Sequence, residues 1–209
     1  MRCGYRRSTS GRRGGPWLFL LVTASVSVLA AGMARAQGFP AVDELKFGVL
    51  AHDVGFAGGK EGGADINGEV LFGSPIDDAT ASQVSPYLRW MVQPRVHIGF
   101  EANTSGFTNQ GYFGLTWTWL LLHDLVNPGD GLDFGISFGP SFNDGQIKAT
   151  APNRKSLGAN VLFRESFELG YRITPRYEVS LFFDHVSNGG LAKQNESIND
   201  AGLRFGLHF

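Results

Sequence analysis

Two-residue alternation of apolar and polar side chains runs through almost the whole chain, and this period is that of β-strands. In residues 45–49, Leu45, Phe47 and Val49 alternate with Lys46 and Gly48. No segment keeps the 3.6-residue period of a helix. The pattern recurs in seven further segments: 65–72, 96–103, 113–121, 132–139, 161–171, 177–187 and 202–209. We therefore predict an all-β fold of eight strands.

The first 36 residues have the order of a secretory signal peptide. Arginines come first, an apolar stretch follows from Trp17 to Ala31, and Ala34-Arg35-Ala36 supplies a small-residue cleavage site. We expect cleavage after Ala36, which divides the chain into a signal peptide, 1–36, and one folded domain, 37–209.

The expected mature chain is acidic and has no cysteine. It contains 12 Lys and Arg against 19 Asp and Glu, a net charge of −7, and Cys3 lies in the signal segment. A nucleic-acid partner is therefore not expected, and neither is a disulfide or thiol chemistry. No cluster has metal-ligand spacing, so no metal and no cofactor are predicted.

Strand length and export favour a transmembrane barrel over a soluble sandwich. Strands of about nine to eleven residues cross a bilayer when they are tilted. Aromatic residues recur near the strand ends, as an interfacial girdle requires, and the chain ends on Phe209. The girdle candidates are Tyr112, Trp119, Tyr171 and Tyr177. We predict an eight-stranded antiparallel barrel in the outer membrane of a Gram-negative cell.

Parity also predicts what fills the barrel and what connects its strands. Charged inward residues are expected to form a hydrogen-bonded plug; they are Asp65, Glu69, Glu101, Asp133, Arg164, Glu168 and Arg204. His52 faces the interior and His123 lies in a turn, so both are interpreted as structural. The connection 73–94 is long, and its residues 87–91 are either a ninth strand or an interfacial segment.

A polar stretch, FFDHVSNGGLAKQNESIND (182–200), interrupts the outward apolar rows of the last two strands. Side chains of one parity share a face, so His185, Ser187 and Asn199 all project outward. An imidazole on the same face can activate a serine hydroxyl, and polar groups facing lipid are costly and tend to be functional. The two interpretations are a catalytic site and a polar rim at the strand end.

The same stretch resembles the signature of the PagL-type lipid A 3-O-deacylases. That family has the pattern H-x-S-N-A-G, followed by an asparagine and by a carboxylate on the next strand, in an eight-stranded outer-membrane barrel. The matching residues of this chain are His185, Ser187, Asn188, Gly190, Asn195 and Asn199. The resemblance implies Ser187 as nucleophile, His185 as general base, and Asn195 with the neighbourhood of Gly190 as the oxyanion hole.

This chain has Asn199 at the position where the family pattern has a carboxylate. Asn199 can orient an imidazole but brings no charge to stabilise an imidazolium. Three carboxylates are candidates to replace it: Glu196 in the loop, Asp200, whose parity points inward, and Glu165 on the sixth strand. If Tyr171 pairs with Tyr177, Glu165 falls opposite Phe183 and diagonal to His185, and we expect it to supply the missing charge.

The resemblance implies a serine esterase that removes the ester-linked acyl chain at the 3-position of lipid A in the outer leaflet. Its partners would be lipopolysaccharide and outer-membrane lipids, with a homodimer as a possibility. Lys60, Arg154 and Lys155 lie in external loops, either in contact with lipid A phosphates or solvated. The alternative is a non-enzymatic small barrel with a structural or binding role.

Overall fold

The computed structural model describes residues 40–55 and 59–209, and the expected signal peptide lies outside them. The described residues form a closed barrel in which neighbouring strands are antiparallel and β8 closes on β1. The strands are β1 (Val42–Ala51), β2 (Ala64–Phe72), β3 (Arg95–Asn103), β4 (Gln110–His123), β5 (Gly131–Asn143), β6 (Val161–Thr174), β7 (Tyr177–Ser187) and β8 (Ile198–His208). The prediction of an eight-stranded antiparallel barrel is confirmed.

Two short helices, and no ninth strand, occupy the long connection between β2 and β3. They are α1 (Asp78–Ala81) and α2 (Arg89–Val92). The side chain of Asp77 caps α1 by accepting a hydrogen bond from Thr80 N at 2.7 Å. In the described part of the chain no helix is long and apolar enough to cross a membrane.

The strands send one set of side chains outward and the other set inward, as the alternation predicts. Apolar side chains of the outer wall remain about half exposed, among them Phe47, Val49, Ile98, Leu181 and Leu203. The predicted inward charges are buried: Asp65, Glu69, Glu101, Asp133, Arg164 and Arg204, with Glu168 at 12 % side-chain exposure. This inside-out distribution is that of a barrel surrounded by lipid.

Ion pairs cross the barrel interior, some between neighbouring strands and some between strands far apart in sequence. Arg164 Nε donates to Asp184 Oδ2 at 2.7 Å, and its guanidinium also lies 3.4 Å from Glu101 Oε1. Lys46 Nζ donates to Glu168 Oε2 at 2.7 Å. Buried charges of this kind require partners, because the low-dielectric interior offers no water to replace them.

The prediction that Tyr112 belongs to the interfacial girdle is wrong, because its side chain points into the barrel. It is 2 % exposed, its hydroxyl accepts from Asn67 Nδ2 at 2.8 Å, and the Arg164 guanidinium lies 3.6 Å from its ring centre. Its neighbour Phe113 is outward and 49 % exposed, and adjacent residues of a strand face opposite sides. Trp119 remains on the outer wall, stacked on Phe134.

The two ends of the barrel differ in their connections. Four loops share the first end, which we call the loop end: L1 (52–63), L2 (104–109), L3 (144–160) and L4 (188–197). The connections 73–94, 124–130 and 175–176 share the other end, the turn end. Because L4 follows β7 and precedes β8, the residues at the end of β7 and the start of β8 lie at the loop end.

Candidate active site

His185 on β7 lies directly opposite Asn199 on β8. The imidazole Nδ1 is 2.6 Å from the Asn199 Oδ1, and both side chains are half-buried on the outer wall. Because an amide oxygen only accepts, Nδ1 carries the proton of this hydrogen bond. In the neutral imidazole this hydrogen bond leaves Nε2 as the nitrogen with the free lone pair, which is the tautomer that a general base needs.

Ser187 follows two residues later on the same face of β7, opposite Phe163 of β6. Residues i and i+2 of a strand have Cα atoms about 6–7 Å apart, so the serine hydroxyl and the imidazole meet only if the side chains lean together. Within the described residues, no hydrogen bond joins Ser187 to His185. Such contacts often tighten only when substrate is bound.

Glu165 lies nearer to His185 than the predicted register places it. The structure pairs Glu165 directly with His185, whereas Phe183 lies opposite Phe167. The predicted register is wrong by two residues, because Tyr171 pairs with Val179 instead of Tyr177. A pair of Tyr171 with Tyr177 would need a turn centred on Thr174, whereas the turn lies at 175–176 and a one-residue irregularity follows between Arg172 and Thr174. Periodicity alone reveals neither feature.

The corrected register brings a carboxylate into the same cross-strand row as the histidine. Directly opposite residues have Cβ atoms about 4.5–5.5 Å apart, closer than the diagonal neighbours first expected. The imidazole of His185 therefore lies between an amide, Asn199 on β8, and a carboxylate, Glu165 on β6. Glu165 is half-buried and forms no hydrogen bond to His185 in the described part of the chain.

Asn188 holds the start of L4 in a fixed turn. Its buried amide donates to Leu157 O at 2.8 Å and to Gln194 O at 2.5 Å, and its Oδ1 accepts from Gly190 N at 2.9 Å. Gly189 and Gly190 have φ angles of 63° and 80°, a region that disfavours other residues. The N–H of Gly190, a candidate oxyanion donor by resemblance, is committed to this turn.

Asn195 lies exposed in L4, beside a residue that connects three loops. Glu196 Oε2 accepts from Ser156 N of L3 at 2.8 Å, and Glu196 Oε1 lies 2.5 Å from Lys60 Nζ of L1. The hydrogen bond from Lys60, together with that from Ser156, lowers the pKa of Glu196. Glu196 is thus used in fixing L4, which leaves Glu165 as the carboxylate facing His185.

The loop cations are engaged within the protein. Lys155 is 9 % exposed and its Nζ lies 3.0 Å from Asp53 Oδ1. Arg154 donates to Gly106 O at 2.8 Å and lies over the Phe107 ring. Neither Lys155 nor Arg154 is a freely solvated charge, and each ties L3 to another loop.

Glu61 is the central acceptor of this loop network. Burial opposes its ionisation, but hydrogen bonds from His52, from the backbone of Lys155 and from Thr108 outweigh burial and lower the pKa of Glu61 to about 2. Because the pKa of Glu61 is lower in the folded than in the unfolded protein, its ionised carboxylate stabilises the fold at pH values above the ordinary pKa of a glutamate. This stabilisation is lost as the pH falls towards 2. The hydrogen bonds that join Glu61 to L2 and L3 should therefore persist in mild acid.

Among the described residues, three interior clusters bring possible metal-ligating atoms within 4.8 Å of one another, although the sequence spacing predicted none. They are Glu44, Glu178 and His208; His52, Asp65 and Asp200; and Glu101, Asp184 and Asp200. The alternation pattern could not predict these clusters, because each combines residues from strands that are distant in sequence. Positively charged side chains form ion pairs with two of these clusters, because Lys46 lies beside Glu44 and Arg164 beside Asp184.

An apolar groove of about 230 Å³ lies on the outer wall close to Ser187. Phe163, the cross-strand neighbour of Ser187, and Leu191 of L4 both line it. Val161, Leu162, Pro140 and Ala159 complete most of its surface. The groove has the apolar lining that a hydrocarbon chain requires.

Comparisons with known proteins agree with this arrangement. The family model described as lipid A 3-O-deacylase (PagL) matches residues 80–208. A crystal structure of the outer membrane enzyme PagL is similar with a TM-score of 0.57 and 13 % identity, over 79 % of this chain and 99 % of that one. At this identity the match shows the fold. No curated protein sequence matches at a significant level.

Two other outer-membrane barrels are similar at lower scores. The N-terminal β-barrel domain of Pseudomonas aeruginosa OprF has a TM-score of 0.44 and 13 % identity, over 80 % of this chain and 98 % of that one. Neisserial surface protein A has a TM-score of 0.45 and 9 % identity, over 79 % and 96 %.

The family match covers more than half of the chain and includes the whole stretch from His185 to Asn199. The closed barrel with its apolar exterior agrees with a location in the outer membrane. The chain belongs to the PagL family of lipid A 3-O-deacylases.

Proposed function

We propose that this chain is an active serine esterase that hydrolyses the ester-linked acyl chain at the 3-position of lipid A in the outer leaflet. The observation that carries the proposal is the 2.6 Å contact between His185 Nδ1 and Asn199 Oδ1, which orients the imidazole on the face that carries Ser187 and favours the neutral tautomer with its lone pair on Nε2. Family membership supplies the substrate class.

The orientation of the barrel follows from the expected signal peptide, 1–36, and from an N-terminus in the periplasm. The loop end is then extracellular, and the row of His185, Ser187 and Asn199 lies near the outer-leaflet boundary. A lipid beside the barrel meets this row from the side. The 230 Å³ groove next to Phe163 is suited to the acyl chain being removed.

The chemistry proceeds in two acyl-transfer steps. Ser187 Oγ attacks the ester carbonyl while His185 Nε2 takes its proton, and the same nitrogen then protonates the departing 3-oxygen of the sugar. Water next attacks the acyl-enzyme and loses a proton to His185, which passes it to Ser187 Oγ as the fatty acid is released. Asn195 is the side-chain candidate to stabilise the oxyanion at each step, and its neighbour Glu196 keeps L4 in place.

A covalent probe tests the nucleophile directly. A fluorophosphonate ester is expected to phosphonylate Ser187 in the folded protein, since it reacts with serines that a base activates. Peptide mass spectrometry should find the adduct on the peptide containing Ser187, and a His185→Gln protein should give almost none. A folded protein that shows no adduct, or one on another serine, would contradict the proposed nucleophile.

Glu165 is proposed to provide the negative charge that Asn199 lacks. An imidazolium forms in each transition state, and a carboxylate in the same cross-strand row stabilises it. Glu165→Gln keeps the size of the side chain and removes this charge. We expect kcat to fall about 10-fold, the loss of about 1.4 kcal/mol of transition-state stabilisation. The acidic limb of the kcat/KM profile should also move to lower pH.

A rescue variant separates this electrostatic role from a packing role. Asn199→Asp places a carboxylate on the other side of the same imidazole with almost unchanged shape. In the Glu165→Gln background it should restore most of the lost rate, which a packing defect on β6 would not allow. If Glu165→Gln changes neither the rate nor the pH profile, Glu165 has no part in the reaction.

The second candidate function is a non-enzymatic barrel with a structural or binding role. It is favoured by Asn199 at the acid position and by the absence of a hydrogen bond between Ser187 and His185 in the described residues. The same fluorophosphonate experiment distinguishes the two, because an inactive homologue leaves Ser187 unmodified.

A further inference from the structure

The long connection between β2 and β3 exposes an unusual number of large apolar side chains. In its second half, 85–92, Tyr87 is 88 % exposed, and Leu88, Trp90 and Met91 are each about half exposed. They lie at the turn end, away from His185 and Ser187. Exposed apolar patches of this kind mark surfaces that contact a partner or a membrane.

Segment 85–92 packs against the outer wall of the barrel. The indole Nε1 of Trp117 on β4 donates to Met91 O at 3.2 Å. Trp90 meets Trp119 edge to face, with ring centroids 5.4 Å apart, and Trp119 in turn stacks on Phe134 of β5. The segment is therefore an outward continuation of the lipid-facing surface of β4 and β5.

The strand register explains why the segment lies there. β3 begins at Arg95, which pairs with Thr116, whereas β4 continues to His123. Residues 117–123 of β4 consequently extend beyond the β3 ladder, and their edge on that side has no strand partner among the described residues. Segment 85–92 runs beside this edge, which limits the exposure of an otherwise open strand.

The composition and backbone of the segment restrict its depth in the membrane. Irregular backbone is not tolerated against the hydrocarbon core, so the segment does not lie at the centre of the bilayer. Tyrosine and tryptophan favour the boundary between headgroups and acyl chains. Arg89 is the single charge in 85–92, whereas the acidic Asp77 and Asp78 lie around α1.

We propose that segment 85–92, together with Trp117 and Trp119, is an interfacial anchor that binds the glycerophospholipid headgroup boundary of the leaflet at the turn end. It contacts the leaflet opposite to the one that holds the reactive row. The anchor fixes the height of the β4 extension in the bilayer, and the proposal does not depend on the esterase activity.

Site-directed spin labels test the anchor. The chain has a single cysteine, so a Cys3→Ser background allows one label at a time. Labels are placed by Leu88→Cys or Met91→Cys, with Ala79→Cys on α1 as the matched control in the same connection. The full chain is refolded into vesicles of phosphatidylethanolamine and phosphatidylglycerol. Accessibility is then measured to oxygen, which concentrates in lipid, and to a water-soluble nickel chelate.

The anchor predicts that the ratio of oxygen to nickel accessibility is several-fold higher at 88 and 91 than at 79. Equal, water-like ratios at all three positions would overturn it. Low accessibility to both reagents at 88 and 91 would also overturn it if the spectra show spin-spin broadening that disappears on dilution with unlabelled protein. A second copy of the chain would then cover the surface. All three positions are exposed, so the substitutions should not disturb folding.

Discussion

Replacing His185 with glutamine is expected to lower kcat for release of the 3-linked acyl chain by about 10⁴-fold, the scale seen when one member of a serine triad is lost. Glutamine occupies a similar volume but cannot accept the proton of Ser187 at neutral pH. The assay follows fatty acid released from lipid A in detergent micelles by the purified, folded protein.

His123→Gln is the matched control for this change. His123 ends β4 at the turn end, its side chain is 76 % exposed, and its imidazole lies 3.0 Å from the Asp124 carboxylate. It should leave the rate unchanged. A loss of less than about 10-fold in His185→Gln would mean that the imidazole is not the general base, because proton transfer by a positioned side chain contributes about 10²–10⁴-fold.

Replacing Arg164 with methionine is expected to reduce the free energy of unfolding by about 3–5 kcal/mol, the cost of leaving buried charges unpaired. Arg164 is 2 % exposed, and its guanidinium serves Asp184 and Glu101 while it covers the Tyr112 ring. Methionine fills a similar space without the charge. Urea unfolding in lipid vesicles, followed by gel mobility of unheated samples, measures the change.

Two further variants isolate the electrostatic origin of this loss. Adding Asp184→Asn to Arg164→Met removes one of the orphaned carboxylates and should recover part of the stability. Arg176→Met, in the exposed turn between β6 and β7, should stay within about 0.5 kcal/mol of the wild type. A change of less than about 1 kcal/mol in Arg164→Met would show that the interior ion pairs contribute little.

Periodicity was sufficient to predict the strands and their faces. Alternation places Lys46, Arg164 and Arg204 inside and Phe47, Val49 and Leu203 outside, because a strand has only two faces. The same parity brings His185 and Asn199 to one surface from different strands, and the structure pairs them directly. The barrel closure follows from strand number and length together with family membership.

The sequence could not provide what depends on register or on contacts between distant strands. The position of the β6–β7 turn, together with the one-residue irregularity between Arg172 and Thr174, decides whether Glu165 faces His185 or Phe183. The pairing of Arg164 with Glu101, and the bridge from Glu196 to Lys60, join residues far apart in the chain. The parity of Tyr112 indicates the barrel interior, whereas its position near a strand end indicates the girdle, and the structure agrees with the parity.

Glu196 illustrates how geometry decides between two candidates of equal chemistry. Both Glu165 and Glu196 are carboxylates near the reactive row in sequence terms. The structure commits Glu196 to Ser156 and Lys60 through three contacts that hold L4 against L1 and L3. Glu165, which has no such commitment among the described residues, is the one aligned with the imidazole.

The most direct measurement of the central claim is mass spectrometry of lipid A from Gram-negative cells that express this chain. The account predicts that lipid A loses one 3-linked hydroxyacyl chain with the wild-type protein, and that Ser187→Ala, at equal expression and with the same folded mobility, leaves lipid A intact. Unchanged lipid A with well-expressed, folded wild-type protein, or equal deacylation by Ser187→Ala, would contradict it.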